Sequence, residues 1–478
     1  QPDLPRATLP PRGVGALVLG GGVAGLAAAR ALLRAGVDDC HLLELEDAAG
    51  GNARGYTLGS RACPLGAHYL PVPGESAHEL RALLEELGLM RFEYGRWVAD
   101  ERHLCHSPQE RLFYEGAWHE GLLPPAEPGS ARLAQYRRFA DLVAAAQREL
   151  GFALPSHRAP WTAGHAALDA QPFATWLDAQ GLSDPALRWY LDYACRDDYG
   201  ADARGVSAWA GLHYFGSRHG FHAPGDDAPE REPVFTWPEG NAWLTTRLAQ
   251  PLGPERLHTG QTVLRVESGQ HAVQALVWDE AAQAARLWLA PLAVLALPLH
   301  VAARVWPDAP AALMQAARDT PQAPWLVANL QLRAPLLARV GTEPAWDNVA
   351  YGSAGLGYVD ASHQALRPDL PRTLLTAYLA LPTSRRGELL AARPEQAARW
   401  ILADLAALHP DLPAQLERID LMRYGHAMAI PAPGVRGSPA RAALRNLPGR
   451  IRLAHADLAG YSVFEEAYNA GIEDKTMG

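Results

Sequence analysis

The stretch ALVLGGGVAGLAAARALLRAG, residues 16–36, decides the fold, because an apolar segment leads through a glycine cluster into an alanine-rich segment. Its glycines have the G-x-G-x-x-G spacing. In such motifs the first glycine permits a tight turn, the second lets the backbone approach a pyrophosphate, and the third lets helix and strand pack closely. The N-terminus of the following helix adds N–H groups and a positive dipole end. The predicted phosphate-binding residues are Gly20, Gly22, Val23, Ala24 and Gly25.

The segment after Gly36 completes a strand–helix–strand unit. Gly36 is a helix-stop signal, and residues 39–46 (DCHLLELE) form an apolar stretch that ends in acids. Glu44 follows Gly25 by about 20 residues, where a carboxylate accepts hydrogen bonds from ribose hydroxyls. Glu44 and its neighbour Leu45 are therefore assigned to a dinucleotide site.

A second glycine pair follows that strand and extends the motif. Gly50 and Gly51 are followed by Asn52 and Arg54. The glycines allow another close approach of backbone to ligand, and an arginine fork pairs with pyrophosphate oxygens. A nicotinamide site usually ends its fingerprint at the acid, so this continuation favours the larger cofactor FAD.

The composition is that of an ordinary globular protein, with 48% hydrophobic and 20% charged residues among 478. This length allows two or three domain-sized units. The formal net charge of −9 argues against a nucleic-acid or anionic-membrane surface and is compatible with a cationic substrate. No uninterrupted apolar run reaches the about 20 residues that a membrane span requires, so no span is predicted.

The cysteines and the first residue bear on the compartment. The cysteines lack C-x-x-C and zinc-ligand spacing, so free thiols and no metal site are predicted, with one disulfide open for an exported protein. They are Cys40, Cys63, Cys105 and Cys195. The chain begins at Gln1. If that is a mature end after signal-peptide removal, the protein is exported to the periplasm in folded form; otherwise it is cytoplasmic.

Three separated segments resemble the flavin-dependent amine oxidase superfamily, which includes phytoene desaturase-like and protoporphyrinogen oxidase-like enzymes. The first contains the glycine motifs and continues to GAHYL at residues 66–70. The second runs from WPEGNAWLTTRL (237–248) through TVLRV (262–266) to VLALP (294–298). The third is IRLAHADLAGYSVFEEAYNAG, residues 451–471. The resemblance implies an FAD-dependent oxidoreductase.

The resemblance also implies roles for individual residues. Glu44 would bind the adenosine ribose, Arg54 the pyrophosphate or flavin edge, and the Val263 backbone the adenine. Asp457 would accept hydrogen bonds from the ribityl or phosphate-side hydroxyls, although a helix N-cap is an alternative role. The other implied cofactor contacts are Gly66, Ala67, His68, Val463 and Phe464.

The sequence departs from the family at two functional positions. The segment DLAGYSVFEEA has no cysteine for covalent flavin attachment, so FAD is predicted to bind non-covalently. Oxidases of this family commonly place a lysine near flavin N5, and the only lysine here, Lys475, comes too late in the chain. A dehydrogenase or other flavin chemistry therefore gains weight over reaction with oxygen, and the electron acceptor stays open between oxygen, quinone and a protein.

The expected fold class is α/β, with a Rossmann-like FAD-binding domain built from discontinuous segments and an α+β substrate domain. The substrate domain is expected to contain a mixed sheet flanked by helices. Residues 1–75, 234–300 and 421–478 are assigned to FAD binding, and residues 76–233 and 301–420 to substrate binding. The pattern from Ser76 to Leu154 is largely helical, and residues 173–200 read as a helical tract.

CRDDYG, residues 195–200, is the most unusual cluster of the middle region. Asp197 or Asp198 could bind a cationic substrate, because carboxylates hold ammonium groups. Alternatively, Asp197 pairs with Arg196 or caps the next segment.

Four further residues are catalytic candidates. His213 is a candidate base, with a core role as the alternative. His68 is expected to organise hydrogen bonds near the flavin rather than to shuttle protons. Tyr461 is the candidate aromatic wall before the isoalloxazine, and Tyr424 comes next.

The leading function is oxidation of an amine, with a polyamine as one option. The alternatives are a flavoenzyme of the same fold acting on a C–C bond, and a flavoprotein with an electron-transfer or structural role. The substrate is expected to be a small molecule.

Overall fold

The structure is a computed structural model that describes residues 4–218, 220–226, 233–360, 363 and 373–473. The chain divides into two compact units. The first unit contains the described residues up to Arg54, then Ala242–Thr320, and the described residues from Val435 onward. The second unit contains the described residues of Gly55–Asn241 and Pro321–Gly434. Each unit is described below by itself.

The strands are numbered in chain order. They are β1 (Arg12–Gly13), β2 (Ala16–Leu19), β3 (Cys40–Leu43), β4 (Gly55–Leu58), β5 (Arg61–Pro64), β6 (Tyr69–Pro71), β7 (Met90–Glu93), β8 (Arg96–Ala99), β9 (Glu110–Tyr114), β10 (Ala117–Glu120), β11 (Val234–Thr236), β12 (Leu257–His258), β13 (Gln261–Ser268), β14 (Val273–Asp279), β15 (Ala284–Ala290), β16 (Ala293–Leu295), β17 (Gln322–Leu332), β18 (Asp347–Ala350), β19 (Tyr358–Asp360), β20 (Leu374–Ala380), β21 (Leu416–Ala429) and β22 (Ile451–Leu453).

The α-helices are numbered in the same way. They are α1 (Val23–Arg34), α2 (His78–Glu86), α3 (Ala131–Glu149), α4 (Ala163–Asp169), α5 (Phe173–Ala179), α6 (Pro185–Tyr199), α7 (Ala208–Gly216), α8 (Ala242–Ala249), α9 (Gly253–Arg256), α10 (Leu299–Val305), α11 (Ala311–Asp319), α12 (Arg386–Ala391), α13 (Pro394–Ala406), α14 (Leu412–Gln415), α15 (Pro439–Leu444) and α16 (Phe464–Ile472).

A parallel sheet with strand order β12-β3-β2-β16-β22 forms the centre of the first unit. β2, β3 and β16 are buried along their whole length, as expected for continuous apolar strands of a parallel sheet. Helix α1 follows β2, and α16 packs against it so closely that a Cβ on Gly471 would lie 2.3 Å from the Ala24 carbonyl oxygen. The first and last helices are thus packed together.

A second sheet, β1-β15-β14-β13, completes the first unit and packs its apolar face into the same core. Of the segments that carry the resemblance, TVLRV lies on β13 and VLALP begins on β16, with β14 and β15 between them. Residues 451–471 form β22, a 3-10 turn at Ala456–Leu458, and most of α16.

The second unit is built on a mixed sheet with strand order β10-β9-β18-β19-β20-β17-β21. The pair β9–β18 is parallel, and the other neighbours are antiparallel. β17 and β20 are almost entirely buried, and α12 and α13 pack against this part of the sheet. The predicted α/β class, with a mixed sheet and helices in the second part, is confirmed.

The predominantly helical prediction for residues 76–154 is wrong between its two helices. α2 and α3 form as expected, but residues 90–120 contain the hairpins β7–β8 and β9–β10. Both hairpins turn at a residue and a glycine with positive φ, namely Tyr94-Gly95 and Glu115-Gly116. These X-Gly turns are the local signal that the helical reading overlooked.

Two other features differ from or match the sequence expectations. The predicted tract 173–200 is two helices, α5 and α6, separated around Gly181, whose φ is +69°. All four cysteines are free thiols, as predicted. The assignment of particular segments to FAD or substrate binding stays a prediction; residues 55–75, 234–241 and 421–434 of the proposed FAD segments lie in the second unit, and 301–320 in the first.

Candidate functional site

The first unit places the glycine motif at the carboxyl end of β2, where the parallel sheet reverses its strand order between β2 and β16. Ligands bind at such switch points in open α/β sheets. Gly20 has φ +107°, and a Cβ there would lie 2.4 Å from the Ala296 carbonyl oxygen. A Cβ on Gly25 would lie 1.8 Å from the Gly20 carbonyl oxygen. Both positions therefore require glycine for the fold itself.

Gly22 differs from these two glycines, because protein packing does not explain it. A Cβ at Gly22 would meet only the Cα of Gly51, at 3.9 Å. Its φ of −71° is also open to any residue. Gly22 and Gly50 form an isolated parallel bridge, and the Gly50 N–H donates to the Gly21 carbonyl at 2.7 Å. The two glycine pairs thus form a cradle of bare backbone beside the N-terminus of α1, which fits a pyrophosphate.

Glu44 lies against this cradle at the end of β3. One carboxylate oxygen accepts the Gly21 N–H at 2.6 Å, and the other accepts the Glu46 N–H at 2.9 Å. The side chain is only 7% exposed, so it fixes the loop while keeping acceptor capacity for a ribose hydroxyl. Its neighbour Leu45 is exposed.

Arg54 is buried beside the second glycine pair. Its Nε donates to the Gly51 carbonyl at 3.1 Å, and its Nη1 lies 3.2 Å from Glu46. Asn52 lies in the short 3-10 turn Gly51–Ala53. The predicted residues from 20 to 54 are therefore brought together at one end of the parallel sheet.

Val263 lies on β13, at an irregularity in its pairing with β14. The first residue of β13 joins this strand to Glu44, because the Gln261 N–H donates to the Glu44 carbonyl at 2.8 Å. The adenine contact predicted for the Val263 backbone stays a prediction.

Asp457 is completely buried in the turn between β22 and α16. One carboxylate oxygen accepts the Leu299 N–H at 3.0 Å, and the other lies 3.2 Å from His455 Nδ1. Burial alone would raise the pKa of Asp457, but the charge and hydrogen bond of His455 and the Leu299 N–H lower it to about 2. Asp457 does act as a helix cap, the alternative role predicted for it, but it caps the start of α10 and not that of α16.

The start of α16 contains buried acids. Val463 is its N-cap residue and Phe464 its first residue, followed by Glu465 and Glu466, each 3% exposed. The Tyr461 hydroxyl donates to Glu466 at 2.6 Å, and the Tyr461 ring is 1% exposed. Tyr461 is thus a buried, hydrogen-bonded ring, and its role as an aromatic wall stays a prediction.

In the second unit, the segment 64–69 has its carbonyl groups held by neighbouring elements. The donors are Asn329 Nδ2 to Pro64 (2.9 Å), the Tyr424 hydroxyl to Leu65 (2.9 Å), the Tyr378 hydroxyl to Gly66 (3.1 Å) and the Asn241 N–H to Ala67 (3.0 Å). Within the described part of the chain, the N–H groups of residues 65–68 donate to no protein atom. These N–H groups can donate to an acceptor on a ligand. The Tyr424 hydroxyl helps to hold this segment through the Leu65 carbonyl, and a catalytic role for Tyr424 stays a prediction.

His68 is the centre of an aromatic group on that segment. Its ring lies 4.4 Å from that of Tyr378, 5.1 Å from that of Tyr69 and 5.4 Å from that of Trp346. Burial lowers the pKa of His68 to about 3. The imidazole is therefore neutral at ordinary pH, which agrees with an organising role and not with proton shuttling.

The two acids of the CRDDYG cluster have different partners. Asp198, 7% exposed, forms an ion pair with Arg218 at 3.3 Å. Asp197 accepts the Tyr69 hydroxyl at 3.3 Å. Arg196 does not take the expected Asp197 pairing: it lies 3.4 Å from Asp192 and donates to the Ala354 carbonyl. Burial, with the charge of Asp198, raises the pKa of Asp197 to about 7.

Asp347, at the start of β18, is a functional candidate that the sequence analysis missed. Burial, then the charges of Asp197 and Glu110, raise its pKa well above the usual range. Among the residues that the structure describes, no cationic side chain forms an ion pair with Asp347. The available signal was only an acid directly after Trp346, in a stretch that also contains Glu343 and Asn348. We call His68, Tyr69, Asp197, Trp346, Asp347 and Tyr378 the aromatic–carboxylate cluster.

His213 lies elsewhere in the second unit. It is 3% exposed, its Nε2 lies 3.0 Å from the Ala153 carbonyl, and its ring packs on Trp209 and Phe152. None of these partners belongs to the aromatic–carboxylate cluster. The environment is that of a hydrogen-bonded core histidine, which was the alternative for this residue.

Two further sequence expectations concern lysine and membranes. Lys475 lies outside the described residues. No described helix combines the length and apolar character needed to cross a bilayer.

Comparisons with known proteins identify the family and the fold. The model of the family "flavin containing amine oxidoreductase" matches residues 23–473. Putrescine oxidase bound to putrescine is 19% identical with a TM-score of 0.70, covering 97% of this chain and 98% of its own. Cyclohexylamine oxidase from Brevibacterium oxydans is 19% identical with a TM-score of 0.70, covering 96% and 97%. No curated protein matches.

The same fold occurs in proteins with other chemistry. A CLA-producing fatty acid isomerase from P. acnes is 16% identical with a TM-score of 0.64, and the match covers 96% of this chain and 97% of the isomerase. These solved structures are similar in fold, while the family model covers nearly the whole chain and confirms the predicted superfamily. The chain is therefore a flavoprotein oxidoreductase that belongs to the flavin-containing amine oxidoreductase family.

Proposed function

We propose that this protein is an FAD-dependent oxidoreductase that oxidises an amine, with a polyamine as the favoured substrate, by hydride transfer to flavin N5. FAD, bound non-covalently, would supply the two-electron acceptor. The single observation that carries the amine assignment is the aromatic–carboxylate cluster. In it Asp197 accepts the hydroxyl of Tyr69, whose ring lies 6.1 Å from that of Trp346, the residue before Asp347. Asp197 and Asp347 also interact electrostatically.

The first unit would hold the dinucleotide. Bare backbone at Gly22 and Gly51 leaves room for phosphate oxygens, and the Glu44 carboxylate fits a ribose. Asp457, kept ionised by its surroundings, would accept hydrogen bonds from hydroxyl groups of the cofactor. The segment DLAGYSVFEEA offers no cysteine for a covalent bond.

The second unit would bind the amine. An ammonium group is attracted by both carboxylates and by the faces of the surrounding rings. The Tyr69 hydroxyl orients Asp197, whereas Arg218 already neutralises Asp198. Burial, followed by the charge of a nearby acid, keeps the pKa values of Asp197 and Asp347 high; that acid is Asp198 for Asp197, and Asp197 for Asp347. A bound cation would favour the ionised carboxylates, and this favours a substrate with at least one charged nitrogen.

A second candidate is chemistry at a C–C bond. It is supported by the structural likeness to the fatty acid isomerase, because the fold occurs with both kinds of substrate. The two carboxylates count against it, since burying a fatty acid carboxylate beside them would add repulsion.

The test is an anaerobic titration of the purified protein, followed by flavin absorbance. The probes are putrescine, spermidine, cyclohexylamine and a fatty acid with two isolated double bonds, which an isomerase would convert into a conjugated diene. Bleaching by amines, strongest with the polyamines, is expected, and D197N should weaken it while Y136F, which removes a tyrosine hydroxyl bonded to the Pro124 carbonyl, should not. Turnover of the fatty acid without bleaching by any amine would favour the second candidate, and no response to any probe would favour an electron-transfer or structural role.

A further inference from the structure

Arg441, on α15, is one of the largest fully buried side chains of the first unit, at 2% exposure. Its Nε donates to the Val435 carbonyl at 2.9 Å, its Nη1 to the Asp457 carbonyl and its Nη2 to the Thr320 hydroxyl. One guanidinium thus joins three separate parts of the unit, each through a different nitrogen.

Two of these contacts lie at the limits of the first unit along the chain. Thr320 is the last residue of its middle segment, and Val435 is the first residue of its final segment. The Thr320 hydroxyl also donates to the Ala316 carbonyl at 2.6 Å, which anchors it to α11. Arg441 therefore ties the end of one segment and the beginning of the next to the turn that contains Asp457.

The guanidinium also supports the residues after Asp457. Gly460 has φ +91°, and a Cβ there would lie 3.1 Å from Val435 Cγ1 and 3.6 Å from Arg441 Nε. The backbone at Gly460 therefore lies close to the arginine. Gly460 immediately precedes Tyr461 and belongs to the short segment that leads into α16 at Phe464, so the contact supports the approach to that helix.

We propose that Arg441 is a positioning residue for the flavin site: it holds the Asp457 turn so that the Asp457 carboxylate and the start of α16 keep their binding geometry. This inference rests on the cofactor role given to Asp457 in the proposed function. The carboxylate itself contacts Leu299 and His455, and the His455 ring also accepts the Asp457 N–H. Arg441 supplies the donor to the Asp457 carbonyl, which neither of those residues contacts.

Lysine cannot replace arginine here. Only a planar fork reaches three acceptors in different directions while remaining charged. R441K would keep the charge and lose the geometry, whereas T320V would remove a single acceptor and leave the arginine in place. Together these two variants keep the inference testable even where removal of the whole guanidinium group prevents folding.

The experiment compares holoenzyme variants by flavin release. Flavin fluorescence reports release during heating or dilution, and far-ultraviolet circular dichroism reports unfolding of the same sample. R441K is expected to weaken flavin binding about tenfold, and T320V by a smaller factor, with release at a lower temperature than unfolding. The matched control is R450M, because Arg450 also donates to a carbonyl, that of Pro291, but lies at the amino end of β22.

A double-mutant cycle with D457N decides whether Arg441 acts through Asp457. The inference predicts that R441K and D457N together lose less flavin affinity than the sum of their separate losses. Additive losses, or release that merely follows unfolding in R441K, would overturn it. If D457N weakens flavin binding but R441K does not, only this inference fails; if D457N has no effect, the cofactor role of Asp457 fails and this inference with it.

Discussion

Replacing Gly22 by alanine separates the ligand requirement of the glycine motif from its folding requirement. The added methyl group would meet only Gly51 Cα, at 3.9 Å, so the protein itself has room for it. Alanine at a helix N-cap costs up to about 1 kcal/mol relative to glycine. The lower entropy of the unfolded alanine chain offsets about 0.4–1 kcal/mol of that cost. G22A is therefore expected to fold with nearly unchanged stability.

The same methyl group would stand where the cradle admits a phosphate. Hydrogen bonds from backbone N–H groups to a charged phosphate contribute about 1.5–3 kcal/mol each. Loss of one such bond weakens flavin binding about 10- to 100-fold. By contrast, G25A places a Cβ 1.8 Å from the Gly20 carbonyl oxygen, a backbone atom that cannot move aside. The primary effect of G25A is therefore expected to be a loss of folding stability and not a direct clash with the ligand.

The assay is flavin content and urea unfolding of wild type, G22A and G25A purified in parallel. G22A should be folded but depleted of flavin, and readdition of FAD should restore its colour only at high concentration. A yellow G22A that retains flavin as tightly as wild type would refute the cradle. If the G22A variant failed to fold, Gly22 would be required for packing, and its assignment to ligand binding alone would be refuted.

Three further predictions concern the substrate, the acceptor and acid stability. Because Asp197 ionises near pH 7, kcat/KM for a polyamine should rise with pH through that value; D197N should flatten this rise, and Y69F should move it to higher pH, since the Tyr69 hydrogen bond lowers the pKa of Asp197. Because Lys475 is the only lysine, the reduced protein should be reoxidised faster by a quinone than by air, and a stopped-flow comparison that finds air faster would contradict this. Burial, with the charges of Arg12 and His41, lowers the pKa of His258 from 6.5 to about 4. On acidification the unfolded chain therefore binds this proton at a higher pH than the folded protein does, and the free energy of unfolding should fall as pH drops from 6.5 toward 4. In urea titrations H258Q should lose less free energy of unfolding over that range than wild type does.

The fold of the first unit could be predicted well because its determinants are local. The residues from Gly20 to Arg54 form one strand–turn–helix–strand unit, and their positions follow from covalent neighbours and glycine conformations. The same holds for the final strand, turn and helix around Asp457. What the sequence could not give was the partner of the Asp457 carboxylate, because Leu299 is far away in the chain.

The second unit was predicted less well because its key contacts join distant residues. Tyr69 reaches Asp197, and Asp347 interacts electrostatically with Asp197, although no sequence spacing relates the three. Arg441 was missed for a similar reason: one arginine among 43 basic residues carries no signal of burial. The hairpins at residues 90–120 were missed because helical periodicity on both sides outweighed their short X-Gly turns.

The most direct test of the central claim is the identity and attachment of the cofactor in the purified full-length protein. After denaturation and removal of the polypeptide, the account predicts that yellow colour passes into the supernatant as FAD, in equimolar amount with the chain. A colourless preparation that takes up no FAD, a flavin that remains with the precipitated polypeptide, or release of FMN instead of FAD would contradict it.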